Sequence, residues 1–325
     1  MSEWLGLYHR SGREINAPRR AGWLYARQDK MQMRTVLCII VFFRVAGSPM
    51  KYLLLLVTLA LSACSRSPAP DNRVANLGTI VDLHTGATLA PQQLLVRLAV
   101  AQRVIVGEKH DNPAHHRIEH WLVENLPRQR PQGSVLMEML VPGQQAQVDA
   151  VKRALQAGEV LSSEQVKQRI AWQAGWDWAL YGGVVMAAIQ APYPLLSANL
   201  SRDEIMAFYR HPQFPTGPRS TQPAVQQALA DLIRQAHGGK IDAPRLNAML
   251  AIQQQRDRRM AQWLLAAPAP ALLIAGGYHA ARDLGVPLHM QDLQPASMPL
   301  VLMLAEGDSQ VDVRRADYLW RTPAR

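Results

Sequence analysis

The chain has 325 residues, a formal charge of +10, 48% hydrophobic residues and two cysteines, which is ample apolar chain for a full core without crosslinks. The basicity is uneven: the 49 residues ahead of Met50 carry eight Lys/Arg against three Asp/Glu, and Lys51 adds one more, so the stretch from Cys64 onward holds about +4. Nucleic-acid binding thereby loses its main support.

In chain order, residues 1–49 show no persistent periodicity and one brief apolar stretch, Val36–Phe43. We read them as a non-native upstream extension from a misplaced gene start, with Met50 as the working start. Lys51, the apolar run Tyr52–Ala60 and then Leu61-Ser62-Ala63-Cys64 make a basic region, a short hydrophobic region and a small-residue cleavage site. The run is far shorter than the roughly 20 residues a spanning helix needs. Residues 50–63 are therefore expected to be a lipoprotein signal peptide, cleaved ahead of Cys64. The Cys64 thiol would take a diacylglyceryl group and its freed amine a third fatty acyl chain such as palmitate, each buried methylene adding about 0.8 kcal/mol of membrane affinity. Ser65, in place of an acidic residue, points to the outer membrane and a cell-envelope location. Residues 64–76 form the lipidated tether, polar and proline-broken from Ser65 to Arg73. Cys38 falls in the leader, so no disulfide is expected.

Residues 77–325 are expected to form a single α/β domain: a mostly parallel central sheet with helices on both faces, plus a helical portion. Runs of strand length occur at Thr79–Leu83, Arg103–Val106, Val135–Met137, Pro194–Ala198, Ala271–Ala275 and Leu300–Leu304. Between them the spacing predicts helices over Pro91–Leu98, Pro113–Asn125, Gly143–Gln156, Glu164–Gln173, Ala179–Gln190, Arg202–Tyr209, Ala224–Gln235 and Pro244–Leu265. Val104–Val106 and Leu272–Ala275 are apolar on both faces, as in a sheet buried between helical layers.

Ligands in such sheets bind beyond the carboxyl ends of the strands. Two strand ends are suggestively polar: Gly107-Glu108-Lys109-His110-Asp111-Asn112-Pro113 and Gly276-Gly277-Tyr278-His279. Both are expected to face one pocket. Asn112-Pro113 is a good helix start, and its free amides, beside Lys109, suit a carboxylate or phosphate; a capped surface helix with solvated histidines is the plainer reading. Helical spacing sets Ile118, Leu122 and Asn125 on one face with His115 beside them and turns His116 and His120 the other way. His116-Arg117-Ile118-Glu119-His120 matches the pattern of inverted zinc proteases, although its histidines then lie opposite the apolar face. Glu138, after Val135–Met137, gives a second strand-end carboxylate beside Glu108; with His110 and His279 the pair suits a divalent metal or acid/base work, or merely orients turns. Gln253 and Arg256 interrupt the apolar stripe of the long helix, with Asp257 adjacent, as if bordering the same pocket. Trp172, Trp176, Trp178 and Tyr181 crowd ten residues, a core cluster or a platform for a flat ring.

Gly107–His116, Met137-Glu138-Met139, Trp178–Tyr181, Ser197–Leu200, Gln253–Asp257 with Met260-Ala261, Gly277–His279, Arg282–Pro287 and the ending Ala316–Trp320 together resemble the ChaN-like haem-binding lipoproteins of the Tiki superfamily, from about Thr79 to Pro323. The resemblance implies a lipid-anchored haem binder in iron uptake, with a tyrosine on the iron, a histidine and a lysine on the propionates, and paired subunits enclosing two haems. It points to Tyr181 as axial ligand with Tyr278 in reserve, to Lys109 and His116 at the propionates, and to His110, His115, His279 and Trp178 around the haem. Glu108, Glu138, Gln253, Arg256 and Asp257 would form a polar shell. It further implies a homodimer on haem binding and a haem-uptake receptor as partner. Phenolate is a hard donor for ferric iron, and nothing here activates a substrate by necessity, so binding is favoured over catalysis. The competing hypothesis is a metal-dependent hydrolase using Glu108, His110, Glu138 and His279.

Overall fold

The computed structural model describes residues 72–324; the extension, the signal segment, Cys64 and the tether as far as residue 71 lie outside the described residues. Among the described residues, no helix is long and apolar enough to cross a membrane.

In chain order the elements are α1 (Asn72–Ala75), β1 (Thr79–Asp82), β2 (Thr88–Leu89), α2 (Pro91–Ala99), β3 (Arg103–Glu108), α3 (Pro113–Asn125), β4 (Ser134–Met137), α4 (Gln145–Gln156), α5 (Ser163–Arg169), α6 (Trp178–Gln190) and β5 (Leu195–Ser197). There follow α7 (Arg202–Arg210), α8 (Pro223–Ala236), α9 (Ala243–Ala266), β6 (Ala271–Gly276), α10 (Gly277–Ala280), α11 (Val286–Leu293), β7 (Leu300–Glu306) and β8 (Tyr318–Thr322). The eight strands make one sheet in the order β2-β1-β8-β7-β3-β6-β4-β5. β1 runs antiparallel to β2 and β8, and the remaining pairs are parallel.

The sheet is buried on both faces because its strands alternate between two cores. Val104, Val106, Val135 and Ile274 turn toward α2, α3, α4 and α6, meeting Leu98, Ile118, Leu122, Val151 and Val184. Ile105, Leu136 and Leu273 turn toward α8, α9 and α11, meeting Ile233, Leu264 and Met290. The helical portion is α7–α9, three consecutive helices between β5 and β6. This is the expected α/β architecture, and the six anticipated strands are present with ends shifted by a residue or two. Two strands and three helices escaped the sequence reading: β2, β8, α1, α10 and α11. Glu108, expected in a turn, is the last residue of β3.

Strand order places the chemistry. β3 and β6 are central neighbours whose register pairs Glu108 with Gly276. β4 flanks β6 on its other side, and the Glu138 amide still donates to the Ile274 carbonyl at 3.0 Å. Glu108, Glu138 and the chain after Gly276 therefore emerge at one edge of the sheet.

Candidate functional site

The turn after β3 closes with Asn112, whose side-chain oxygen accepts from the amides of Ala114 (2.8 Å) and His115 (3.3 Å) while Pro113 begins α3. This cap also anchors neighbouring strands, since Asn112 Nδ2 donates to Glu306 at the end of β7 (2.7 Å). Lys109 Nζ reaches the same carboxylate at 2.6 Å and lies 3.7 Å from Asp111.

The Glu108 carboxylate is buried at the centre. Its Oε1 accepts from the Tyr181 hydroxyl at 2.6 Å and lies 2.7 Å from His110 Nδ1. Burial raises its pKa, but His110 and His116 more than offset that and hold it below the ordinary value. Tyr181, only 1% exposed, is driven the other way: burial and then the charge of Glu108 raise its phenol well above the ordinary value. The reading of Tyr181 as an iron ligand meets this obstacle directly, because its oxygen is enclosed and donating to a carboxylate.

His116 corrects the helical-face reading. It is 3% exposed, since α6 covers that side of α3 and the Tyr181 ring stands 4.3 Å from its own. Its Nδ1 lies 3.0 Å from Glu119 Oε2, and its Nε2 is 3.0 Å from the His110 carbonyl oxygen. Burial lowers its pKa, yet the Glu119 contact raises it to about 9; Glu119 is raised by burial to about 7. His120 faces outward and pairs with Glu124 at 3.4 Å, so the two histidines of the protease-like pattern do not converge. His115 is buried too, with Nδ1 accepting from the Lys109 amide (2.9 Å) and Nε2 beside Thr322 Oγ1 (3.3 Å). Burial lowers it to about 4, so it is a neutral structural group. Both His115 and His116 are thus enclosed in the interior.

The second strand end builds a matching network. Glu138 Oε2 accepts from the Gly276 amide (2.8 Å) and Oε1 lies 3.4 Å from His279 Nε2. His279 Nδ1 is 2.6 Å from Asp257 and 3.1 Å from the Gln253 amide nitrogen, both on α9. Burial lowers the His279 pKa, but Glu138 and Asp257 raise it to about 10. Burial also raises Glu138, and His279 overcomes it, leaving that carboxyl far below its usual range; Asp257 is pushed up by burial to about 6. Asn199, which the sequence reading did not single out by chemistry, fixes this turn by donating to the Glu138 carbonyl at 2.9 Å.

Two openings adjoin these networks. A small cavity of about 20 Å³ is lined by His110, Gln253, Arg256, Gly276, Gly277, Tyr278 and His279, so the two polar strand ends do share a pocket, bordered by the polar residues of the long helix. A wider cleft of about 390 Å³ is lined by, among others, Lys109, Tyr278, Met303, Glu306, Val311 and Arg315. Tyr278 borders both. Trp178 lines neither; its indole donates to Ser163 Oγ at 3.0 Å and its ring packs on Trp172. Trp176 is the tryptophan nearest the site, 4.9 Å from the His110 ring. Met303, on the anticipated strand β7, and Arg315, in the turn before β8, were not anticipated as lining residues. Glu108 with His110 and Glu138 with His279 stand as two pairs beside the shared cavity; the acidic and histidine group whose donor atoms all lie within 4.8 Å among the described residues is Glu108, His116 and Glu119.

No curated protein matches the chain. Among solved structures, cofacial heme binding to ChaN of Campylobacter jejuni is 29% identical, covering 74% of this chain and 95% of that one with a TM-score of 0.68. A Bacillus cereus protein is 9% identical over 66% and 68% of the two chains, TM-score 0.35, and an erythromycin esterase mutant in its open conformation is 11% identical over 70% and 76%, TM-score 0.40. The family model described as haem-binding uptake, Tiki superfamily, ChaN matches residues 94–290, which places this chain in the ChaN family of the Tiki superfamily.

Proposed function

We propose that this protein binds haem for iron uptake in the cleft at the carboxyl ends of β3, β6 and β7, with Tyr278 as the iron ligand. The observation that carries the reading is the lining of that cleft: a half-buried phenol, two cationic side chains, Lys109 and Arg315, and the apolar surface of Met303 and Val311. Its volume of about 390 Å³ falls in the range of small-molecule sites, roughly 300–1,000 Å³. These groups fit haem: a phenolate donor for ferric iron, cations for propionates, and apolar wall for the ring. Tyr278 is preferred to Tyr181 because the latter would have to leave Glu108 to reach iron.

Bound haem supplies the iron and its redox chemistry; the chain's own residues bind and orient it. Lys109, steadied by Glu306, is the propionate candidate, while His110 and His279 are held inward by carboxylates and line the smaller cavity beside the cleft. The cofacial haem of the Campylobacter jejuni relative motivates a homodimer enclosing two haems, and a haem-uptake receptor is the expected partner. The lipobox at Leu61–Cys64 supports attachment to the outer membrane through acylated Cys64.

Hemin titrated into the protein is expected to give a saturable Soret band at one haem per chain. Tyr278→Phe is expected to change the ligand-field bands, whereas Tyr181→Phe leaves them. A featureless titration, with hemin remaining free, removes the haem reading.

A further inference from the structure

We infer that Glu108, His116 and Glu119 form a buried binding site for one divalent first-row transition-metal ion, with two carboxylate oxygens and one imidazole nitrogen as protein donors. This site shares only Glu108 with the four-residue set considered from the sequence, and it does not rest on the haem reading. His116 and Glu119 do not line the cleft.

The geometry carries the inference. One donor atom from each residue lies within 4.8 Å of the other two, and all three residues are buried. Donors around an ion at 2.0–2.2 Å sit no farther apart than roughly 4.4 Å, so a small side-chain adjustment closes the set. His116 and Glu119 are one helical turn apart on α3 and Glu108 terminates β3, so both supports are rigid elements.

A second observation is independent of the spacing. Each carboxylate has one oxygen with a hydrogen-bond partner and one buried without any, although Glu108 Oε2 does lie 3.7 Å from His116 Nε2. Glu108 Oε1 takes the Tyr181 and His110 contacts and Glu119 Oε2 takes His116, while Glu108 Oε2 and Glu119 Oε1 are buried with no hydrogen-bond partner. Buried carboxylate oxygens demand a donor or a cation. The outer contacts also suit a metal site. Histidine ligands characteristically donate their second ring N–H to a carbonyl or carboxylate; His116 Nε2 addresses the His110 carbonyl and lies 3.7 Å from Glu108 Oε2, while Nδ1 lies on the Glu119 side. Tyr181 and His110 would orient Glu108 in the same manner.

The donors select the class of ion. Two carboxylates with one imidazole suit manganese, iron(II) or zinc; calcium and magnesium prefer all-oxygen sites and copper(I) prefers sulfur.

The test uses the full chain, freed of metal by chelation and free of hemin, titrated with Mn(II) while the spin-resonance signal of the free aqueous ion is followed. One ion per chain, displaced by Zn(II), is expected. Glu119→Gln and His116→Gln should each weaken binding by more than the roughly 10–100-fold that loss of an outer partner causes, with circular dichroism unchanged. Should the variants fail to fold, the wild-type complex decides: spin-echo modulation from a directly bound imidazole nitrogen supports the site, and its absence overturns it. Lack of stoichiometric Mn(II) or Zn(II) binding, or equal binding by both folded variants, also overturns it, leaving a water or a shared proton on the orphaned oxygens. Hemin titration of the same samples separates the two readings. A Soret band without metal binding sinks the metal site alone, and metal binding without a Soret band sinks the haem reading alone.

Discussion

The Tyr181 hydroxyl donates to Glu108 across 2.6 Å, linking α6 to the carboxyl end of β3 within the protein interior. A hydrogen bond to a buried charged group contributes about 1.5–3 kcal/mol, so Tyr181→Phe should lower unfolding stability by about that amount in urea titrations. Tyr278 is half-buried at the cavity rim, and Tyr278→Phe should cost less stability than Tyr181→Phe. Haem spectra should respond in the opposite order. If Tyr181→Phe abolishes the ligand-field bands at unchanged stability, the ligand assignment reverts to Tyr181.

The charged His279 gives stability a particular pH dependence. Burial opposes its protonation, but Glu138 and Asp257 raise its folded pKa from 6.5 to about 10. A raised histidine stabilises fully below its unfolded pKa, and that contribution disappears as pH rises through the folded value. Urea midpoints should therefore fall between pH 6.5 and 10, with His116, raised to about 9, adding to the slope. His279→Gln should flatten the decline without removing it. An identical slope in the variant would mean that His279 is neutral in the folded protein.

Gly276 lies where the two networks touch. A Cβ there would stand 2.8 Å from His110 Nε2 and 3.5 Å from Glu138 Oε2, so Gly276→Ala must push the imidazole away from Glu108. Overpacking of this kind costs about 1–3 kcal/mol. Imidazole resonances of His110 should shift and hemin affinity should drop; unperturbed resonances would show that the site yields elsewhere.

Cys64 is the fourth point of leverage, through the lipobox alone. Cells fed labelled palmitate should incorporate it into the wild-type protein, with Cys64→Ser unlabelled and released from the membrane fraction. Equal labelling of the two proteins would assign the lipid to another position or the anchor to another mechanism.

The legible parts of the chain were those set by local pattern. Val104–Val106 and Leu272–Ala275 are apolar on both faces, and that alone marks them as central strands. With Asn112-Pro113 marking the start of α3, this was enough to locate the polar strand ends. Gln253 and Arg256 betrayed the pocket because polar groups broke an apolar stripe. β8 was missed because Tyr318–Thr322 is a short strand without alternation, fixed by pairing with β7 and β1. That pairing depends on residues distant in sequence.

His116 marks the same boundary more sharply. Helical spacing correctly separated it from Ile118 and Leu122, but spacing describes one helix and not what covers it. By itself the sequence determined the α/β class and the strand-end placement of the polar residues, and it raised the expectation of a lipid anchor, because each follows from neighbouring residues. Only the tertiary structure decided that α6 lies over α3, burying His116 and Glu119 beside Glu108 and consuming the Tyr181 hydroxyl. The physical reason is that burial and electrostatic partnership belong to pairs of elements, and α3 and α6 lie more than fifty residues apart along the chain.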